Sequence, residues 1–254
     1  MVRQPLIAAT LAALTFASPV LAQSTAMQMS DSERSAFRAE VRAYLMENPE
    51  VIFEAVSEFE RRNQAQQGEM DLALVEINAE AIFDDGHSWA TGNLDGDITL
   101  VEFMDYRCGF CRRAQPEVLS MLEADGNIRL IIKELPILGP DSEIMSRFAV
   151  AVQQLAGDEA YGAVHDALMA WEGSVTPDDL RSIAADIGFD AEPALAAMNS
   201  PEVNQVLNEN RALAQRLQIS GTPTFVMGDG TGGELLRGYM PAAEMSNVVT
   251  RLRG

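Results

Sequence analysis

Two short apolar runs, Ile98-Thr99-Leu100-Val101-Glu102-Phe103-Met104 and Ile128-Arg129-Leu130-Ile131-Ile132-Lys133, flank a single helix-patterned segment from Cys108 to about Ala124. Runs this short and this apolar read as buried strands, and strand, helix, strand with short connections implies a parallel βαβ unit. Pro116 inside the helix is expected to kink it. From Asp141 to about Gln218 the pattern turns wholly helical, with starts at Asp141, Thr176-Pro177 and Ser200-Pro201. The last two pair a capping residue with a proline in the first turn. Strand signals return at Thr224–Met227 and Leu235–Tyr239 around a Gly-rich turn, and an amphipathic helix from Pro241 closes the chain. The fold class is therefore α/β, with a helical subdomain inserted at about 141–218.

The first 22 residues carry one positive charge at Arg3, an apolar run from Leu6 to Phe16, and small or aliphatic residues at Val20 and Ala22. This is the pattern of a cleavable secretory signal. The apolar run is about half of the ~20 residues that cross a bilayer, and no cysteine near the cut offers a lipid attachment. The mature chain is thus expected to be exported, with no membrane anchor. Ser30 and Glu33 then form a capping box for a helix carrying Phe37, Val41, Tyr44 and Leu45, stopped by Asn48-Pro49. A second helix begins at Pro49 with Val51, Ile52, Ala55, Val56 and Phe59 on its apolar face. After the polar stretch Arg61 to Gly68, a third runs from Met70 to near Gly86. Residues 23–90 read as a helical N-terminal arm ahead of a main domain at 91–254. Separate amphipathic pieces bury little of their own surface, so the arm needs a partner chain or the main domain. A homo-oligomer joined through the arm is the expectation.

Acidic residues number 38 against 18 basic ones, a net charge of -20, which makes nucleic acid an unsuitable partner and repels anionic membrane surfaces. With 47% hydrophobic and 22% charged residues, the chain has an ordinary globular composition. Its two cysteines and two histidines, His87 and His165, are too few and too scattered to suggest a zinc centre. No metal site is expected.

Both cysteines fall in Cys108-Gly109-Phe110-Cys111, where a buried strand hands over to a helix. Unpaired N–H groups and the positive end of the helix dipole favour a thiolate there, and Arg107, Arg112 and Arg113 reinforce the effect. In such a motif the first cysteine is accessible and attacks, while the second lies inward and resolves the mixed disulfide. These roles go to Cys108 and Cys111. A purely structural disulfide would close too short a loop to stabilise much. A soft-metal site for copper(I) on the two thiolates is a further alternative.

The stretch VEFMDYRCGFC, followed by KELPILG and later GTPTF, resembles the DsbA-like branch of the thioredoxin superfamily over about residues 91–254. The resemblance implies a thioredoxin fold and a cis Pro223 facing the cysteines. Thr222, just before it, would offer backbone to an extended substrate peptide. It also places Glu102 and Lys133 as a pair beneath the cysteines, with Glu102 accepting the Cys111 proton as Cys111 attacks. Tyr106, Phe110 and Met104 are candidates for an apolar rim around the sulfurs. The helical arm resembles that of exported DsbA-like proteins of the copper-sensitivity-suppressor (ScsC) type, in which the arm joins protomers. The chain departs from DsbA itself, which carries Pro-His between the cysteines. Gly109-Phe110 is closer to the Gly-Tyr of disulfide isomerases, and a Thr before the cis-proline points the same way.

The expected activity is thus a periplasmic thiol-disulfide oxidoreductase, an isomerase or mild oxidase acting on cysteine-containing exported proteins through a Cys108 mixed disulfide. A membrane redox partner would set its redox state, and no cofactor is needed beyond the Cys108–Cys111 disulfide. Thr222, Pro223, Gly109 and Phe110 would contact substrate. A copper(I)-binding or delivery protein using the same cysteine pair, and a holdase chaperone built on the arm, are the rival readings.

Overall fold

A computed structural model describes residues 29–254, so the expected signal segment lies outside the described residues. The described residues divide into two units, one up to Phe59 and one from Glu60 to Gly254. In the first, helix α1 (Asp31–Glu47) begins with the expected capping box: the Ser30 hydroxyl accepts from the Glu33 N–H, and the Glu33 carboxylate accepts from the Ser30 N–H. The start of helix α2 (Glu50–Ile77) follows. Neither apolar face is covered within this unit. Phe37, Tyr44, Phe53 and Phe59 are all more than half exposed.

Helix α2 does not break at Arg61–Gly68, where two helices were expected, but runs through to Ile77. The stretch is polar, yet Arg, Gln and Ala are good helix formers, and the single Gly68 costs only about 1 kcal/mol. Without a capping residue or a proline, nothing there stops the helix.

In the second unit a five-stranded sheet has the order β1-β3-β2-β4-β5, built from β1 (Trp89–Gly92), β2 (Ile98–Met104), β3 (Ile128–Glu134), β4 (Thr224–Gly228) and β5 (Gly233–Arg237). Strands β2 and β3 are parallel and joined by α4 (Gly109–Asp125), which continues through Pro116 as one helix. Strand β4 runs antiparallel to both β2 and β5. The insertion is α5 (Pro140–Ala156), α6 (Asp158–Ala170), α7 (Pro177–Asp186), α8 (Ala191–Ala197) and α9 (Pro201–Arg216), and α10 (Ala242–Arg253) ends the chain. Thr176 and Ser200 cap α7 and α9 as expected. Strand β5 stops before Tyr239 because Gly238, at φ 90°, turns the backbone so that its N–H meets the Pro223 carbonyl at 2.9 Å.

Strand β1 was not anticipated. It pairs antiparallel with β3, Trp89 opposite Ile132, so a boundary between residues 90 and 91 would cut through it. Four half-exposed residues carry too little alternation to announce a strand. Trp89 also packs in a tilted contact against Tyr161 of α6, with ring centroids 5.1 Å apart. Gly162 permits this approach, since a Cβ there would lie 3.0 Å from the Trp89 ring.

Alternation along the strands sorts the two cores. Leu100, Met104, Leu130, Ile132, Phe225 and Met227 share one core with α4, α10 and most of the insertion. On the other face, Val101, Phe103, Ile131 and Val226 pack with Val75, with Ile82 and Phe83 of helix α3 (Ala79–Phe83), and with Leu213 and Leu217. Residues 75–83, expected in the arm, therefore belong to the core of the domain, each buried side chain contributing about 1.5–3 kcal/mol.

Candidate active site

The site is assembled where β2 ends. Asp105, fully buried, accepts from the backbone N–H groups of Arg107 (2.7 Å), Ile137 (2.7 Å) and Leu138 (3.0 Å), and its carbonyl accepts from the Cys108 N–H (2.9 Å). One carboxylate thus ties the turn carrying Cys108 to the loop after β3. Cys108 then serves as the N-cap of α4, which sets its sulfur beside the N–H groups of Phe110 and Cys111 in the first turn.

Both cysteines are free thiols. Cys108 is 6% exposed and Cys111 is fully buried, the accessibility order expected of attacking and resolving sulfurs, although Cys108 is more enclosed than the motif suggests. As a thiol, Cys108 donates to the Thr222 carbonyl at 3.1 Å. Its pKa is brought down to about 5, chiefly by a hydrogen bond from the Cys111 thiol, against the opposing effect of burial, with help from the Thr222 side chain and the N–H groups of Cys111 and Phe110. Cys111 is pushed far up, because it is the donor in that bond, because it is buried, and because the Glu102 charge is near. The pair therefore holds one thiolate and one thiol.

The Thr222–Pro223 peptide bond is cis and lies against Cys108. Gly109 and Phe110 open α4 in contact with solvent, Phe110 at 54% exposure. Of the three residues considered for an apolar rim, only Phe110 qualifies. Met104 and Tyr106 are fully buried, since both belong to the core beneath the site, and the exposed apolar side chains on the loop that Asp105 holds are Ile137 and Leu138.

Glu102 is 3% exposed, its Oε1 accepts no hydrogen bond, and burial together with the Cys108 thiolate raises its pKa to about 8. The expected pairing with Lys133 is absent. In the parallel register Glu102 lies opposite Ile132, and Lys133 lies opposite Phe103. With a side-chain period of two, Glu102 and Lys133 project from opposite faces of the sheet. Lys133 is instead paired with Asp85 and donates to the Ala81 carbonyl at 2.9 Å. Burial lowers the Lys133 pKa and Asp85 partly restores it; burial would raise Asp85, but the Lys133 charge and hydrogen bonds prevail and hold it at about 2. Lys133 is thus part of the framework, on the far side from the sulfurs.

Breaking that pair strands a fully buried ammonium. Asp85→Asn is expected to cost about 3 kcal/mol at neutral pH. Because the folded pKa of Asp85 is depressed, the cost shrinks as pH falls from 3.8 toward 2, which urea denaturation across that range measures. Sequence reasoning missed Asp85. The available signal was that the sole lysine, set in an apolar run, needs a carboxylate, but nothing distinguishes one acid among 38.

A second buried polar cluster was also missed. Glu134 Oε1 accepts from the hydroxyls of Tyr106 (2.8 Å) and Tyr161 (2.6 Å), and its Oε2 accepts from Ser146 (2.7 Å). The Tyr106 hydroxyl also lies 3.2 Å from Nδ1 of His165, a buried ring stacked on Tyr161. Burial raises the Glu134 pKa to about 7 despite these donors. His87 sits elsewhere, between Asp85 (3.2 Å) and Glu209 (3.0 Å). Among the described residues no three His, Cys, Asp or Glu side chains converge as metal ligands, and no helix is long and apolar enough to cross a membrane.

A mixed sheet of this order, with a dithiol at a helix N-terminus set against a cis-proline loop, defines a thioredoxin-like protein equipped for thiol-disulfide exchange. Comparison with known proteins makes the assignment specific. The profile of the DSBA-like thioredoxin domain matches residues 99–253, and the chain belongs to this family of thiol-disulfide oxidoreductases. A second profile, the copper resistance protein ScsC N-terminal domain, matches residues 33–66. A thioredoxin-like oxidoreductase from Silicibacter pomeroyi DSS-3 is 38% identical with a TM-score of 0.62, over 68% of this chain and 96% of that one. BcfH of Salmonella enterica Typhimurium is 26% identical with a TM-score of 0.73, over 88% of this chain and 97% of that one. The Na(+)/H(+) antiporter NhaA 1 of Salinispora arenicola is 30% identical over 135 residues, 53% of this chain and 20% of its own length. The chain spans about a fifth of the length of that curated relative.

Proposed function

We propose that the protein is an exported, periplasmic disulfide isomerase or mild oxidase that acts on cysteine-containing proteins. The observation that carries this is the asymmetry of the dithiol, with Cys108 ionised near pH 5 and Cys111 held as a thiol. In the isomerase direction the Cys108 thiolate attacks a substrate disulfide, forming a mixed disulfide and releasing the other substrate sulfur as a thiolate. That thiolate is then free to attack a different substrate disulfide. A substrate thiolate finally displaces Cys108, so no net electrons move. If the substrate stalls, Cys111 attacks Cys108, forms the Cys108–Cys111 disulfide, and frees the substrate as a dithiol. A membrane redox partner would then reset the pair.

Glu102 is suited to take the Cys111 proton in that last step. Its pKa is raised partly by the Cys108 thiolate. Once this charge is consumed in the mixed disulfide, the carboxyl acidifies toward a working base at neutral pH. The backbone of Thr222 beside the cis-proline offers an edge for an extended substrate. Gly109-Phe110, lacking the histidine of DsbA, favours a milder oxidant.

The uncovered apolar faces of the arm, together with the ScsC-type match there, support an oligomer joined through residues 31–59. Phe37→Asp with Phe53→Asp, in the full chain, is expected to give monomers by light scattering. The same variant should refold scrambled ribonuclease several-fold more slowly if joined protomers grip misfolded chains together. The isomerase reading itself fails if the unmodified protein does not accelerate this refolding over glutathione alone. The copper(I) alternative gains little from the geometry, since Cys111 resists ionisation and a second thiolate ligand is thereby disfavoured.

A further inference from the structure

Among the described residues, several of the domain's arginines are ion-paired, and Arg129 and Arg216, which are not, are spent within the fold on the Phe83 carbonyl (3.4 Å) and the Asn78 side chain (2.7 Å). Arg147, Arg181, Arg211, Arg237, Arg251 and Arg253 each meet a carboxylate. Arg107, Arg112 and Arg113, the three that surround Cys108 in sequence, form no ion pair among the described residues. This is unexpected in a chain of net charge -20, where acids outnumber bases about two to one.

The three are differently placed. Arg112 is committed inward: its Nε donates to the Tyr106 carbonyl at 2.9 Å, and its Nη2 is buried without a partner. The carboxylates whose charge reaches it are Glu172 and the buried Asp105, the latter already saturated by three backbone N–H groups. Arg107 reaches the other way, donating to the Gly173 carbonyl in the loop between α6 and α7. Arg113 is exposed, its guanidinium 5.2 Å from the Phe110 ring centroid and 5.6 Å from that of Tyr239. Tyr239 follows Gly238, whose N–H holds the Pro223 carbonyl. Arg113 therefore lies along the cis-proline loop, on the flank where a substrate strand would pass, and Arg107 lies on the flank toward the insertion. Glu117, the nearby acid on α4, is occupied by the Tyr239 hydroxyl (3.2 Å) and the Ala242 N–H (2.9 Å).

The geometry points to a substrate class: polypeptides whose reactive cysteine is flanked by carboxylates, one met by Arg113 beside the cis-proline loop and the other by Arg107 toward the insertion. This rests on the exchange activity proposed above. The rest of the acidic surface repels such substrates, so guanidiniums without a carboxylate partner beside the sulfur favour an acidic segment there. Contact with two rings restrains the Arg113 guanidinium, which no carboxylate of the described residues pairs with and which a substrate carboxylate can meet.

The test uses the full-length protein oxidised at Cys108–Cys111 and three two-cysteine peptides that differ only in whether the flanking residues are Glu, Gln or Lys. Each peptide loses two hydrogens to become a disulfide as the protein gains them to become a dithiol. Each rate is divided by the same peptide's rate with hydroxyethyl disulfide, which removes differences in the peptides' own thiol acidity. The Glu peptide is expected to react about tenfold faster than the Lys peptide at low ionic strength, the ratio collapsing toward one in high salt. Arg113→Gln should at least halve that ratio, whereas Arg181→Gln, already paired with Glu192, should leave it unchanged. If all three peptides react at equal normalised rates, or the Lys peptide reacts fastest, the substrate class is wrong while exchange itself stands. If none reacts, both readings fall.

Discussion

Cys111→Ala is expected to accumulate covalent adducts with substrate proteins, while Cys108→Ser abolishes adducts and turnover alike, a loss of at least ~10³-fold. The two variants divide so sharply because the two sulfurs differ in charge. A thiolate at pKa about 5 is almost wholly ionised at neutral pH and attacks. With the Cys111 sulfur gone, nothing within the site releases the mixed disulfide, and only a second thiol from the substrate does so. Mass spectrometry of denatured, acid-quenched samples reads both outcomes. Cys111 also donates the hydrogen bond that contributes most to lowering the Cys108 pKa. Alkylation of the Cys111→Ala variant should therefore titrate at a higher pH than alkylation of the unmodified protein. Equal titration curves would show that the helix N-terminus alone holds the thiolate.

Glu102→Gln is expected to act in opposite senses on stability and on rate. The carboxyl has a folded pKa of about 8 against an ordinary value of 4.5. Below pH 4.5 it is protonated in both states and imposes no penalty. As pH rises, the unfolded chain ionises first, and the folded state loses ~1.4 kcal/mol per pH unit until the buried carboxyl ionises as well. Glutamine removes this loss. The variant should match the unmodified protein near pH 4, be more stable by about 3 kcal/mol at pH 7, and gain nothing further above about pH 8. Chemical denaturation across this range tests it, and a stability difference that ignores pH would refute the buried-acid account. The resolving attack by Cys111 should meanwhile slow by about 10²-fold for want of a proton acceptor. Mixed-disulfide decay measured by rapid acid quench reports that step separately from stability.

The parts of this molecule that were legible beforehand are those whose signals are local. A cap followed by proline at Thr176-Pro177 and Ser200-Pro201, the seven-residue apolar run of β2, and the dithiol at a strand-to-helix junction each carry their information within a few residues. What was not legible depends on register or on distant partners. Strand β1 is only four residues long and partly exposed, and it is a strand because β3 offers it an edge. The resemblance to DsbA-like proteins placed Lys133 beneath the sulfurs as the partner of Glu102. Its actual partner follows from a one-residue offset in pairing, which turns a side chain to the other face. The Glu134 cluster joins residues 12 to 59 positions apart, and no spacing rule connects them. Its only advance notice was an acid closing a mostly apolar run.

That Glu134 carboxylate is gripped at one oxygen by a tyrosine from the exit of β2 and another from α6, and at the other by a serine from α5. The wall formed by the insertion and the floor formed by the sheet are thereby riveted at a point where neither tolerates an unmet hydrogen bond. The spacing between insertion and sheet at that point is thus set when the chain folds and is not left to be adjusted afterwards.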